Sequence, residues 1–161
     1  MCGKEESDLI GHLLTRICKL SRDRSRTLMA EIGIHCGQGI ALYQLWQKDG
    51  ITQSELARSL RLAPATVTTA LQRMERIELI ERRADERDQR ISRVFLTDKG
   101  RSLREKVEEN WHRLEEQALS GFSEEERKSM HGYLLRIHAN LDSARGLDAE
   151  AMAGTRRGAR V

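Results

Sequence analysis

The sequence predicts a mainly α-helical chain carrying one small β-hairpin. Three observations predict it. The 161 residues include a single proline and 4% aromatic residues, with 39% hydrophobic and 33% charged, a composition suited to helices around a modest core with a highly charged surface. Apolar residues recur at three- and four-residue intervals over most of the length. The exception is the charged run Asp85-Glu86-Arg87-Asp88-Gln89-Arg90, held between Leu79-Ile80 and Val94-Phe95-Leu96, which reads as a hairpin too polar to be core. The length fits one domain, 1–161.

The elements follow in order. Leu9, Leu13, Ile17 and Leu20 set a helical stripe within a long helix, 8–32, that ends near Gly33. A second helix starts around Gly37 and Gly39, passes through Tyr43 and Trp46, and stops at Asp49-Gly50. Thr52-Gln53-Ser54-Glu55 is a capping box, in which hydroxyl and carboxylate each satisfy an amide at a helix start. It opens a short helix with Leu56, Ala57 and Leu60 as its apolar face. Arg61-Leu62-Ala63 is a tight turn, and Pro64 begins the next helix, where its missing N–H costs nothing. That helix runs to about Ile77.

Leu79–Arg83 and Ile91–Leu96 are the hairpin strands, with Val94 and Leu96 on one face of the second. Thr97 caps a third long helix, Asp98 to about Leu119, along a seam of Leu103, Val107, Trp111, Leu114 and Ala118. After Gly121, Ser123-Glu124-Glu125-Glu126 is a second capping box whose acids complement the helix dipole. The last helix carries Met130, Leu134, Ile137 and Leu141. Residues 146–161, with Arg156, Arg157 and Arg160, read as a disordered basic tail.

Composition bounds the function. The formal net charge is +3, which permits nucleic-acid binding where the basic residues cluster. No apolar run approaches the roughly 20 residues of a membrane span, and the first residues form no apolar signal region, so a cytoplasmic protein is expected. Three widely spaced cysteines, Cys2, Cys18 and Cys36, do not make a disulfide framework; Cys18 and Cys36 read as buried thiols. The five histidines show no ligand spacing, so no metal site and no cofactor is expected. No nucleophile–base pair and no glycine-rich phosphate loop points to an enzyme.

A capped helix, a tight turn, a proline-led helix and a charged hairpin together make a winged helix-turn-helix, an arrangement that most often grips DNA. In the helix from Pro64, one stripe (Val67, Ala70, Leu71, Met74) faces inward. The opposite face carries Ala65, Thr66, Thr68, Thr69, Gln72, Arg73 and Arg76. Threonine, glutamine and arginine are the side chains that read base edges in a major groove, and the start of the second helix of such a pair lies there. The hairpin arginines suit phosphates or a narrow minor groove.

Four segments resemble the MarR family of bacterial winged-helix regulators. They are Gly50-Ile51-Thr52-Gln53-Ser54-Glu55-Leu56-Ala57; Leu62-Ala63-Pro64-Ala65-Thr66-Val67-Thr68-Thr69; Leu79-Ile80-Glu81-Arg82-Arg83, followed by Asp85, Arg87, Asp88 and Arg90 in an Asp-x-Arg-Asp-x-Arg pattern; and Leu96-Thr97-Asp98-Lys99-Gly100. The match spans about Leu9 to Leu141.

The resemblance implies a DNA-binding transcriptional regulator, most often a repressor, acting as an obligate homodimer on a palindrome with half-sites about one helical turn apart. Residues 8–32 and 98–145 become dimerisation helices around a DNA-binding lobe, 39–97. Arg87 becomes the wing-tip residue in the minor groove, Asp85 braces the wing, and Asp88 and Arg90 brace it or pair with neighbouring helices, Arg90 also touching DNA. Ser54, Pro64, Ala65, Thr66, Thr68, Thr69, Gln72, Arg73 and Arg76 become DNA contacts. Two positions depart from the family pattern. Glu78 stands where glycine is frequent, which implies a strained turn, and Ala63 stands where a capping serine is common.

The resemblance further implies a sensed signal. A small aromatic or anionic ligand would be lined by His12, Arg16, His35, Tyr43 and Trp46, with core packing the alternative role for Tyr43 and Trp46. Thiol redox at Cys36 or Cys18 is the alternative, although the cysteine of the family's peroxide-sensing branch falls near Gly11 here. A reading of another class is a winged-helix protein-interaction module without DNA binding.

Overall fold

The computed structural model describes residues 9–157, with side chains over residues 9–144. The chain divides into two compact units, Met1–Ala118 and Leu119–Val161. Cys2 and residues 158–161 lie outside the described residues.

In the first unit the element order is α1 (Ile10–Glu31), α2 (Cys36–Gln47), β1 (Ile51–Thr52), α3 (Gln53–Ser59), α4 (Pro64–Arg76), β2 (Ile80–Ala84), β3 (Ser92–Leu96), α5 (Asp98–Ser102) and α6 (Arg104–Ala118). The strands form one antiparallel sheet in the order β1-β3-β2. Fully buried Leu42, Leu45, Leu56, Leu71, Met74, Leu79 and Val94 join α2, α3, α4 and the sheet in one core. α3 and α4 start as their sequences predict. The Thr52 hydroxyl accepts from the Glu55 amide at 3.1 Å while the Glu55 carboxylate accepts from the Thr52 amide at 2.8 Å. Pro64 occupies the first turn of α4, and its cap, Ala63, makes no side-chain bond.

Four expectations about boundaries need correction. The second helix starts at Cys36, so Gly37 and Gly39 sit inside its first turn, where the Gln38 side chain accepts from the His35 amide at 2.8 Å. The expected helix 98–119 breaks at Leu103 into α5 and α6. A third strand, β1, pairs Ile51 with Val94 and Thr52 with Arg93; two residues are too short to show a period. In the second unit, α7 (Glu124–Arg157) continues past Gly146, so the backbone is helical over most of the expected tail. Leu147, Ala149, Glu150, Ala151, Met152 and Ala153 are all good helix formers, which outweighs the two flanking glycines. The expected cap of α7 is present, with Ser123 and Glu126 bonded reciprocally.

The C-terminal end of α1 is pinned to the middle of α6 by a buried asparagine. Asn110 donates to the Leu28 carbonyl at 2.7 Å and accepts from Arg113 at 3.0 Å, and Arg113 reaches Glu31 at 2.9 Å. The other half of α1 is different. Leu9, Ile10, Leu13, Ile17 and Leu20 are 50–70% exposed, and no residue of α1 before Ser25 is buried. Cys18 is therefore exposed, against the expectation of a buried thiol. On α7, Tyr133, Leu134, Leu135 and Leu141 are exposed as well.

Glu78 adopts a positive φ of 60°, as its place in the sequence implied. The turn is over-determined: the Thr97 hydroxyl donates to the Glu78 carbonyl at 2.6 Å, the Lys99 ammonium to that of Ile77 at 2.9 Å, and the Thr97 amide to that of Leu79 at 3.2 Å. A left-handed conformation costs a non-glycine residue about 1 kcal/mol. Glu78→Gly should therefore raise stability by about that much, read as a higher denaturation midpoint; an unchanged or lower midpoint contradicts strain there.

Candidate nucleic-acid interface

Two projections of the first unit carry the predicted site residues. The first is the outer face of α4. Val67, Leu71 and Met74 are buried and Ala70 is half-buried, which turns Ala65, Thr66, Thr69, Gln72, Arg73 and Arg76 outward as exposed residues. Pro64 and, on α3, Ser54 are exposed too. Thr68 lies on the flank towards α3, half-buried, with its hydroxyl bonded to Gln53 at 2.6 Å. Arg73 and Arg76 sit in the last turn of α4, where cations complement the dipole.

The second projection is the hairpin β2–β3. Its tip is organised by one carboxylate. Asp85 is 8% exposed. Its Oδ1 accepts from the amides of Arg87 at 2.8 Å and Asp88 at 3.1 Å, and its Oδ2 accepts from the guanidinium of Arg93. The Arg93 hydrogen bond, followed by the two backbone amides, holds the Asp85 carboxyl down at about 2. Arg93 also donates to the Gly50 carbonyl at 2.9 Å, tying the tip to the turn before β1. Gly50 is needed there: its φ is +70° and an added Cβ would lie 2.7 Å from the Phe95 ring.

Asp88 acts locally and does not reach a neighbouring helix. Its carboxylate accepts from the Arg90 amide at 3.0 Å and its carbonyl from the Ile91 amide at 2.9 Å. Arg87 and Arg90 stand exposed at the tip. At the base of the hairpin, Arg82 pairs with Glu75 of α4 at 2.6 Å, and Arg83 lies over Phe95, 5.0 Å from the ring centroid. α4 and the hairpin are thus cross-linked.

Because the folded-state pKa of Asp85 is depressed, its contribution is fully present above the unfolded carboxylate pKa near 4. It is lost as pH falls towards about 2. Asp85→Asn should destabilise the protein at pH 6, and the gap between the two melting temperatures should close as pH is lowered through 4 to 2. A gap that does not change with pH contradicts the carboxylate's role.

The expected effector residues lie on α1, just before α2 and on α2. His12 and Arg16 lie on the exposed half of α1 and His35 precedes α2. Tyr43 meets Trp111 edge-on at 5.4 Å, and the Trp46 indole N–H donates to the Gly100 carbonyl at 3.1 Å, so both aromatics have packing roles. A cleft of 460 Å³ lies at the wing beside Asp85, Arg87, Arg93 and Phe95, and none of the five borders it. Half-buried Cys36 has its sulfur 3.1 Å from the Ser25 hydroxyl. Among the described residues no group of three His, Cys, Asp or Glu side chains is arranged to hold a metal, and no helix is long and apolar enough to cross a membrane.

Arg93, Gly50 and Gln53 are structural partners that sequence reasoning missed. Their roles depend on pairings across strands and helices, which no local spacing signals.

A family model described as MarR family matches residues 37–92. The HTH-type transcriptional regulator BilQ of Clostridium symbiosum is 30% identical over 105 residues, covering 65% of this chain and 73% of that protein. YybA, an HTH-type transcriptional regulator of Bacillus subtilis, is 28% identical over 106 residues, covering 66% and 71%. The S. aureus MepR chain, solved in complex with DNA, superposes with a TM-score of 0.75 at 28% identity, covering 83% of this chain and 98% of that one.

Proposed function

This chain belongs to the MarR family of winged-helix regulators, and from that premise we propose that it is a DNA-binding transcriptional regulator that grips a two-fold-symmetric operator as a homodimer. The carrying observation is the pair of cross-linked projections. A polar face of hydroxyl, amide and guanidinium groups on α4 stands beside a hairpin whose tip presents Arg87 and Arg90. The complex of MepR with DNA supports the same reading.

In this reading Ala65, Thr66, Thr69, Gln72, Arg73 and Arg76 face the major groove, and Thr68 flanks them. Ser54 and Pro64 lie beside the phosphates at the two helix starts, and Arg87 enters the minor groove with Arg90 beside it. Asp85 and Asp88 hold the turn that aims them. The exposed apolar residues of α1 and those of α7 are the surfaces of the second chain.

The protein acts as a repressor released by a small aromatic or anionic effector, a role that follows the family resemblance. Selection of bound duplexes from a random library tests the proposal. A symmetric consensus with half-sites about 10 base pairs apart, bound by two chains, is expected. No enrichment by a folded dimer would favour a protein-interaction module instead. Release of the selected duplex by members of a panel of aromatic carboxylates would identify the effector class.

A further inference from the structure

Gln53 does not belong to the outward face of α4, yet it is bonded to a residue beside that face. Its backbone is fixed by the capping box, since it lies between Thr52 and Glu55, which satisfy each other's amides. The hydrogen bond from the Thr52 amide, more than any other contact, holds the Glu55 carboxyl down at about 2, so it stays ionised at any ordinary pH. From that fixed position the Gln53 Nε2 donates to the Thr68 Oγ1 at 2.6 Å, across fifteen residues of chain. The same hydroxyl donates its proton to the Pro64 carbonyl at 2.9 Å.

A hydroxyl has one proton and two lone pairs. In Thr68 the proton and one lone pair are therefore taken by the protein. What remains for a base edge is an acceptor lone pair and the methyl group. The major-groove edge of guanine offers only acceptors, whereas adenine and cytosine offer an amino donor and thymine a methyl group. A hydroxyl free to turn would donate to guanine as well as accept from the others. A bound hydroxyl does not.

We propose that Gln53 is a specificity-determining positioning residue: by holding the Thr68 hydroxyl against the Pro64 carbonyl, it makes that position of the recognition helix reject guanine. The inference rests on the DNA-binding reading and refines it. Gln53 acts through Thr68 and carries no charge, so its removal leaves the salt dependence of binding unchanged.

The test is duplex selection and competition binding with the full chain, for wild type, Gln53→Ala, Thr68→Val and the double variant. In Gln53→Ala, one position in each half-site should gain tolerance for guanine by about tenfold, while the salt dependence of binding stays as in wild type. In the Thr68→Val background, adding Gln53→Ala should change the base preference no further. Circular dichroism melts show that each variant is folded. Two results overturn the inference: a uniform loss of affinity across all sequences with no change in base preference, which makes Gln53 a backbone contact, or the same Gln53→Ala effect with and without the Thr68 hydroxyl. If wild type selects no site at all, it is the DNA-binding reading that fails.

Discussion

Replacing Gly100 with alanine should cost about 3 kcal/mol or more, a large fraction of the stability of a domain this size. The reason is spatial and not conformational. Gly100 lies within α5, and a Cβ there would stand 2.1 Å from the Leu79 carbonyl oxygen, with the Leu96 side chain 3.2 Å away. The oxygen is backbone in a buried segment and cannot turn aside. Gly100 is also held on both sides: its amide donates to the Thr97 hydroxyl at 3.1 Å, and its carbonyl accepts from Trp46 at 3.1 Å. Neither α5 nor the start of β2 can retreat without breaking these bonds. Urea denaturation measures the loss. A midpoint within about 0.5 kcal/mol of wild type would contradict the packing described at the base of the wing.

Arg87→Ala should weaken binding to the selected operator about 10- to 100-fold for each wing engaged, the range for loss of a guanidinium contact. Folding should be untouched, because the Arg87 backbone amide, and not its side chain, completes the turn around Asp85. Arg93→Ala provides the contrast. It removes the cation paired with Asp85 and the tie to Gly50, so it should lower both stability and affinity. Anisotropy titrations and melting curves on the two variants separate the roles. Loss of stability in Arg87→Ala, or full affinity in that variant, would contradict the assignment of the tip.

Much of the fold was legible because it rests on local rules. A capping box, a proline at a helix start and a buried stripe at helical spacing locate α3 and α4 by chemistry confined to a few neighbours. The strained turn at Glu78 was legible only through the family resemblance, which has a glycine there; nothing local to Ile77-Glu78-Leu79 signals it. The misplaced boundaries have local causes too. Gly37 and Gly39 read as helix breakers, but the amide of His35 and the Gln38 side chain start α2 before them. The break at Leu103 interrupts an apolar seam that carries on in phase through Val107 and Trp111, so periodicity runs straight across it.

What stayed hidden depends on distant pairs. The motif Leu96-Thr97-Asp98-Lys99-Gly100 was visible, but its glycine is explained by the Leu79 carbonyl, which only the folded chain brings near. Arg93 looked like one more charge in an alternating strand until Asp85 and Gly50 met on its guanidinium. In the candidate interface, the outward face of α4 was predicted from helical phase alone. That Thr68 is spoken for by Gln53 was beyond reach, because a side chain's hydrogen-bond partner across a helix-turn-helix has no sequence period.

The central claim is that α4 and the wing read a DNA sequence. The most direct measurement is the affinity of the full chain for its selected duplex and for a scrambled duplex of the same composition, across 50–300 mM salt. A preference of about 10³-fold or more for the selected duplex is expected. Affinity for both should also fall steeply and linearly in log salt, as phosphate contacts release counterions. Equal affinity for the two duplexes, or binding indifferent to salt, would contradict that claim.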